Sequence, residues 1–154
     1  GIAMQLTNIA RDVLEDAEMG RRYLPASWAG DVTPAHITAA NQAPSSEVAR
    51  SVSMAIGQLL SMADDYYQSG VAGLSYLPLR AHIAIAVAAR VYRQIGVQIA
   101  ATGYGWHQGR QVTSRVIKLK CSLHACGSIW RRFWPRVPHR KQLHDGLEGL
   151  PYVR

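Results

Sequence analysis

Asn8, Asp12 and Asp16 stand four residues apart in a segment, Gly1 to Pro25, whose apolar residues repeat at helical spacing. Ile2, Leu6, Ile9, Val13 and Ala17 make one stripe at three- and four-residue intervals, which predicts an amphipathic helix over 1–18. Gln5 extends the polar row that runs beside the stripe. Gly20 follows as a C-cap, and Pro25 forbids continuation. Like charges one turn apart destabilise an isolated helix by about 0.2–0.5 kcal/mol, so the acid row needs a reason. A cation over the row is one: an amide oxygen and two carboxylates are hard ligands of the kind Mg²⁺ takes, with water and phosphate oxygens completing its shell. A solvated face, with Arg11 and Glu15 as an ordinary surface pair, is the other. Spacing alone does not separate them.

The run QLTNIARDVLEDA, followed by GRRYLP, resembles the second aspartate-rich motif of the squalene and phytoene synthase family, and its bacterial phytoene synthase members most of all. Gln5, Asn8, Arg11, Asp12, Asp16, Gly20, Arg21, Tyr23, Leu24 and Pro25 all stand at the family's spacing. The likeness continues more weakly through ARVYRQI at 89–95 and RQVTSRVIKL at 110–119. It implies an all-α, isoprenoid synthase-type helical bundle, here incomplete. Two facing aspartate-rich helices would hold a cluster of Mg²⁺, with Mn²⁺ as the alternative metal. By the resemblance Asn8, Asp12 and Asp16 are metal ligands, and Gln5, Arg11 and Arg110 contact the substrate diphosphate. Tyr92 joins Asp12 and Asp16 as the catalytic residues, facing the reacting carbons. Forked guanidinium contacts suit phosphate oxygens. Arg115, Lys118 and Lys120 read as a basic surface helix.

The implied reaction joins two molecules of geranylgeranyl diphosphate head to head, through a cyclopropyl diphosphate, to give phytoene for carotenoid biosynthesis. Metal polarises the leaving group, and an apolar cavity keeps water from the cations. Family members carry an earlier D-x-x-x-D motif on another helix. Here the other paired acids, Asp64 and Asp65, are adjacent, and Gly1 already lies inside a helical pattern. The chain is therefore expected to be the C-terminal part of such a prenyltransferase and inactive by itself. Squalene or dehydrosqualene synthesis is the alternative within the fold. Squalene would need a nicotinamide donor, and no dinucleotide fingerprint is present. A noncatalytic helical protein that binds a prenyl diphosphate or a partner subunit is the alternative outside it. Chain length follows cavity depth and oligomeric state follows surface fit, neither of which a sequence displays.

Charge is divided unevenly. Residues 1–80 hold five Lys/Arg against eight Asp/Glu, a net of −3; residues 81–154 hold 12 against 2, a net of +10. A basic half suits phosphorylated substrate or an anionic membrane surface. No basic helix interleaves aromatics in a nucleic-acid motif, so nucleic acid is not an expected partner. Cys121 and Cys126 suggest a reduced pair rather than a disulfide framework or a metal site. The longest apolar run, Ala81 to Ala89, is interrupted by His82 and too short to cross a bilayer. A cytoplasmic enzyme, in peripheral contact with membrane, is the expectation.

Thr33 or Asp31 before Pro34 would cap a short helix through Ile37 to Ala40. Ser45 or Ser46 would cap a long one over 47–69, ended by Gly70. Asp64 and Asp65 at its end would be solvated or paired with Arg90 or Arg93. A second long helix, 79–101, is apolar on nearly all sides, which predicts burial in a bundle or along an apolar cavity. Residues 103–106 read as loop and 112–124 as a further helix. The family-like domain thus covers 1–120. Residues 121–154, with two Trp, three Pro and six Lys/Arg, read as an atypical basic tail outside the family's sequence, such as a junction or a shifted reading frame would leave.

Overall fold

The computed structural model describes residues 1–109, 111–133, 142, 143 and 145. Among them are α-helices, short 3₁₀ turns and no strand. The helices are α1 (Ile2–Arg11), α2 (Val13–Glu18), α3 (Ala26–Ala29), α4 (Pro34–Asn41), α5 (Glu47–Gly73), α6 (Leu79–Ala101) and α7 (Arg115–Gly127).

The helix expected over 1–18 is interrupted at one residue. Asp12 has φ −101° and ψ 16°, outside the helical range, so α1 and α2 meet at a bend. The hydrogen bonds pass through it nonetheless: Asp12 N–H donates to Asn8 O at 2.9 Å, and Asp16 N–H to Asp12 O at 2.8 Å. The end of α2 is built as expected. Gly20 takes φ 73°, its N–H donates to Ala17 O at 2.9 Å, and Arg21 N–H donates to Asp16 O at 2.8 Å. That pair of bonds is the Schellman arrangement, and a left-handed residue is what makes it reachable.

Of the two candidate caps for α4, Thr33 is the one used. Its hydroxyl accepts from His36 N–H, and His36 Nδ1 accepts from Thr33 N–H in return. Ser46 caps α5 through Ala49 N–H. Gly70 does not end α5. The helix runs on to Gly73, because neither glycine takes a positive φ, and a 3₁₀ turn over Leu74–Tyr76 carries the chain to Pro78.

α5 is the central element. Ala49, Val52, Ile56, Leu59, Ala63 and Tyr67 recur at helical spacing and are all buried. α1, α3, α4 and α6 pack around it. Ile37, Ile95, Ile99 and Trp106 complete the core from their own elements. The expected loop at 103–106 is a tight reversal, with Gly103 and Tyr104 both at positive φ. It drops Trp106 into the core, where the indole N–H reaches Ala49 O at 3.4 Å.

α6 has the expected bounds but not the expected burial. Only His82, Ala86, Ile95 and Ile99 are buried, while Leu79, Ile85 and Val97 are exposed. Among the described residues no more than one side of α6 is covered, by α1, α5 and α7. By length and composition it is the one described helix apolar enough to span a membrane. Its ties are those of a bundle helix: Arg93 pairs with Asp64, and buried His82 bonds to Leu74 O at 2.9 Å and Ser128 Oγ at 3.0 Å. α7 begins and ends three residues later than expected, capped by Ser114, whose hydroxyl accepts from Ile117 N–H. It lies on α6, where Ala125 meets Ala86 and Leu74.

Candidate active site

The row of Asn8, Asp12 and Asp16 is set by the backbone. Each residue's carbonyl accepts the N–H of the next member or, for Asp16, closes the Schellman turn, so successive side chains lie one turn apart on one line. Val13 and Ala17 bury the neighbouring side of α2. All three row side chains are partly buried, which positions them where a cation would be shielded from bulk water.

Two features of the row ask for positive charge. Asn8 Oδ1 is buried and has no hydrogen-bond partner among the described residues, a costly state for an amide oxygen. The Asp16 carboxyl is held above its ordinary range, first by burial and then by the neighbouring charge of Asp12, against an opposing pull from Arg21. A divalent cation answers both. The donor set of one amide and two carboxylates fits Mg²⁺ or Mn²⁺, which need substrate and water oxygens for the rest of the shell. Among the described residues no cluster of three or more His, Cys, Asp or Glu is found, so the row contributes part of a shell.

Arg11 is engaged with the row itself, while Glu15 also acts on its charge. Its guanidinium forks onto Asp12, with Nε–Oδ1 at 2.7 Å and a terminal nitrogen to Oδ2 at 2.6 Å. The two side chains are only 14% and 20% exposed. That contact, ahead of the desolvation that opposes it, holds Arg11 firmly in its charged form. Tyr92 of α6 lies near enough to act on Arg11 electrostatically and packs against the core beside Leu6 and Tyr67. The fold therefore brings Arg11, Asp12 and Tyr92 together from two helices. Gln5 is exposed, one turn before Asn8. Arg110 lies outside the described residues.

One polar tie beside the site is not visible in the sequence. Thr7 donates its hydroxyl hydrogen to Ala3 O at 2.9 Å, which leaves Tyr67 as the donor in the 3.0 Å bond between the two hydroxyls. Both residues are buried, and the bond fixes α1 against α5 directly behind the row. The signal available was a Thr on the apolar side of a helix, which by itself does not name its partner. Toward the start of α1 an open-sided apolar cavity of about 420 Å³ is lined by Ile2, Met4, Tyr67, Val71, Leu74 and Ile85, among others. Its size falls within the range of about 300–1,000 Å³ usual for small-molecule pockets.

A helical bundle with an acid-and-amide row along α1 and α2, and an apolar cavity at the start of α1, is consistent with an isoprenoid synthase-type fold. The chain belongs to the squalene/phytoene synthase family, whose model matches residues 1–117. Members use divalent metal and prenyl diphosphate substrates. The chain is 44% identical over 128 residues to the 15-cis-phytoene synthase of Enterobacter agglomerans, covering 82% of this chain and 42% of that protein. It is 43% identical over 147 residues to the Pantoea ananas enzyme of the same name, covering 90% and 45%. Against the 15-cis-phytoene synthase of a Paracoccus species it is 41% identical over 152 residues, covering 99% and 47%. The chain thus spans a little under half the length of these relatives. No solved structure matches it significantly.

Proposed function

We propose that this chain supplies the second metal-and-diphosphate helix of a phytoene synthase, a cytoplasmic prenyltransferase in peripheral contact with membrane. The reaction is head-to-head condensation of two geranylgeranyl diphosphates to phytoene through a cyclopropyl diphosphate. The observation that carries the reading is Asn8 Oδ1, buried without a hydrogen-bond partner among the described residues and in line with the acids Asp12 and Asp16. Bound Mg²⁺, or Mn²⁺ in its place, would neutralise charge developing on the leaving diphosphate.

The chain's own residues do the rest. Asn8, Asp12 and Asp16 would hold the metal. Arg11, forked on Asp12 in this structure, would turn to a phosphate oxygen of bound substrate and leave the Asp12 carboxylate to the cation. Gln5 and Arg110 contact the diphosphate. Tyr92 stands over the reacting carbons, and the apolar cavity beyond Met4 receives hydrocarbon and excludes water.

With only two carboxylates in the row, the chain by itself is expected to bind diphosphate without turning it over. The same observation supports the second reading, a noncatalytic prenyl-diphosphate-binding subunit. Incubation with geranylgeranyl diphosphate and Mg²⁺ separates them. The chain alone should give no phytoene, and its fusion to the remaining part of the Enterobacter agglomerans relative should give it. A folded but inactive fusion would favour the noncatalytic subunit. Squalene or dehydrosqualene from the shorter prenyl diphosphate would redirect the substrate assignment.

A further inference from the structure

α7 faces the bundle with one side only. Ala125 is fully buried against α6, and Cys121 Sγ lies 3.9 Å from Arg90 O on the same side. At 100° per residue, Val116, Leu119 and Leu123 fall on the opposite side. They are 63%, 62% and 66% exposed. Trp130 and Phe133, in the 3₁₀ segment that follows, are 72% and 78% exposed, with ring centroids 6.2 Å apart. Lys120 borders this apolar stripe on one side and Arg115 on the other, both exposed. No acidic residue occurs between Asp65 and Asp145 in the sequence.

We propose that α7 and the aromatic turn after it dock this protein on an anionic phospholipid bilayer, lying in the plane of the interface. This gives the peripheral membrane contact proposed above a surface, and it does not depend on the metal row. An apolar stripe with cations along both borders is the pattern of an interfacial helix, and Trp sits well at headgroup level. The charge pattern selects the occupant. A second copy docked through this face would set two acid-free basic borders against each other, whereas anionic headgroups neutralise them. Each cation near such a surface contributes about a fivefold gain in binding.

Sedimentation of the full chain with vesicles tests this. Binding is expected to vesicles of phosphatidylcholine and phosphatidylglycerol in equal parts, with little to phosphatidylcholine alone, and it should weaken as salt rises. The double variant Leu119→Gln/Leu123→Gln should lose binding at least tenfold. Arg115→Gln/Lys120→Gln should lose it by about 25-fold. Both pairs are exposed, and circular dichroism checks that each variant keeps its helix content. Asp16→Asn should bind vesicles like the unaltered chain, so failure of the metal reading would not be mistaken for failure of this one. Equal binding to both vesicle types, no binding, or unchanged binding by the Leu pair would overturn the proposal. So would a dimer that the Leu pair dissolves, which would assign the stripe to self-association.

Discussion

Two arginine–aspartate pairs in this chain have opposite surroundings. Arg93 and Asp64 meet on the outside, 54% and 37% exposed, where the Arg93 contact lowers the Asp64 carboxyl below its usual range. Such a pair contributes little to stability. Arg11 and Asp12 meet in a half-buried position beside a row that already holds Asp16. Removing one partner there leaves charge in a poorly solvated place, so that pair is suited to exchange rather than to support. Tyr67 shows what support looks like at this scale. Its hydroxyl donates to Thr7, and Thr7 keeps its own bond to Ala3 in any variant. Tyr67→Phe should therefore cost about 1 kcal/mol at neutral pH, read by urea unfolding. Burial raises the Tyr67 phenol above its ordinary value. The unfolded chain then loses this proton first as pH rises, and the native state loses stability from about pH 10 upward. In the Phe variant that part of the alkaline loss should be absent.

The elements were legible where a local rule decided them. Ser46, Thr33 and Gly20 act as caps because each supplies a hydroxyl or a left-handed residue where a helix end lacks partners. Gly70 was misleading, since glycine stops a helix only by leaving the helical region, and here it stays inside. The two positions predict opposite effects in one experiment. Gly20→Ala forces a side chain to φ 73° and should cost about 1–2 kcal/mol. Gly70→Ala meets open space on a continuing helix and should stabilise by about 0.5–1 kcal/mol. Urea midpoints for both variants check the signs. The bend at Asp12 was not legible, because a period of 3.6 residues runs through it unbroken. The exposure of α6 was not legible either: an apolar helix states that it needs covering, not which segment covers it.

For the whole molecule, the sequence divides an acidic half from a basic one, and the fold gives each half a place. The acids of the candidate row lie at the bend between α1 and α2 and on α2, with Asp12 beside Arg11, while the described part of the basic half includes α7 and its exposed apolar stripe. The row was legible in its spacing, but its reading as a metal site came from the family resemblance; what the structure adds is an amide oxygen without a hydrogen-bond partner among the described residues and the fork that holds Asp12. Under the proposed function those two facts would make metal and diphosphate binding interdependent. Metal alone would compete with Arg11 for Asp12, whereas a diphosphate would draw Arg11 away. Calorimetric titration of Mg²⁺ into this chain, with and without inorganic pyrophosphate, tests that claim most directly. Uptake should be weak with Mg²⁺ alone and at least tenfold tighter with pyrophosphate present. That gain should be lost in Asp12→Asn and in Asp16→Asn and kept in Asp64→Asn. If all three variants took up Mg²⁺ and pyrophosphate like the unaltered chain, the row would be ordinary surface and the metal assignment of Asn8, Asp12 and Asp16 would be wrong.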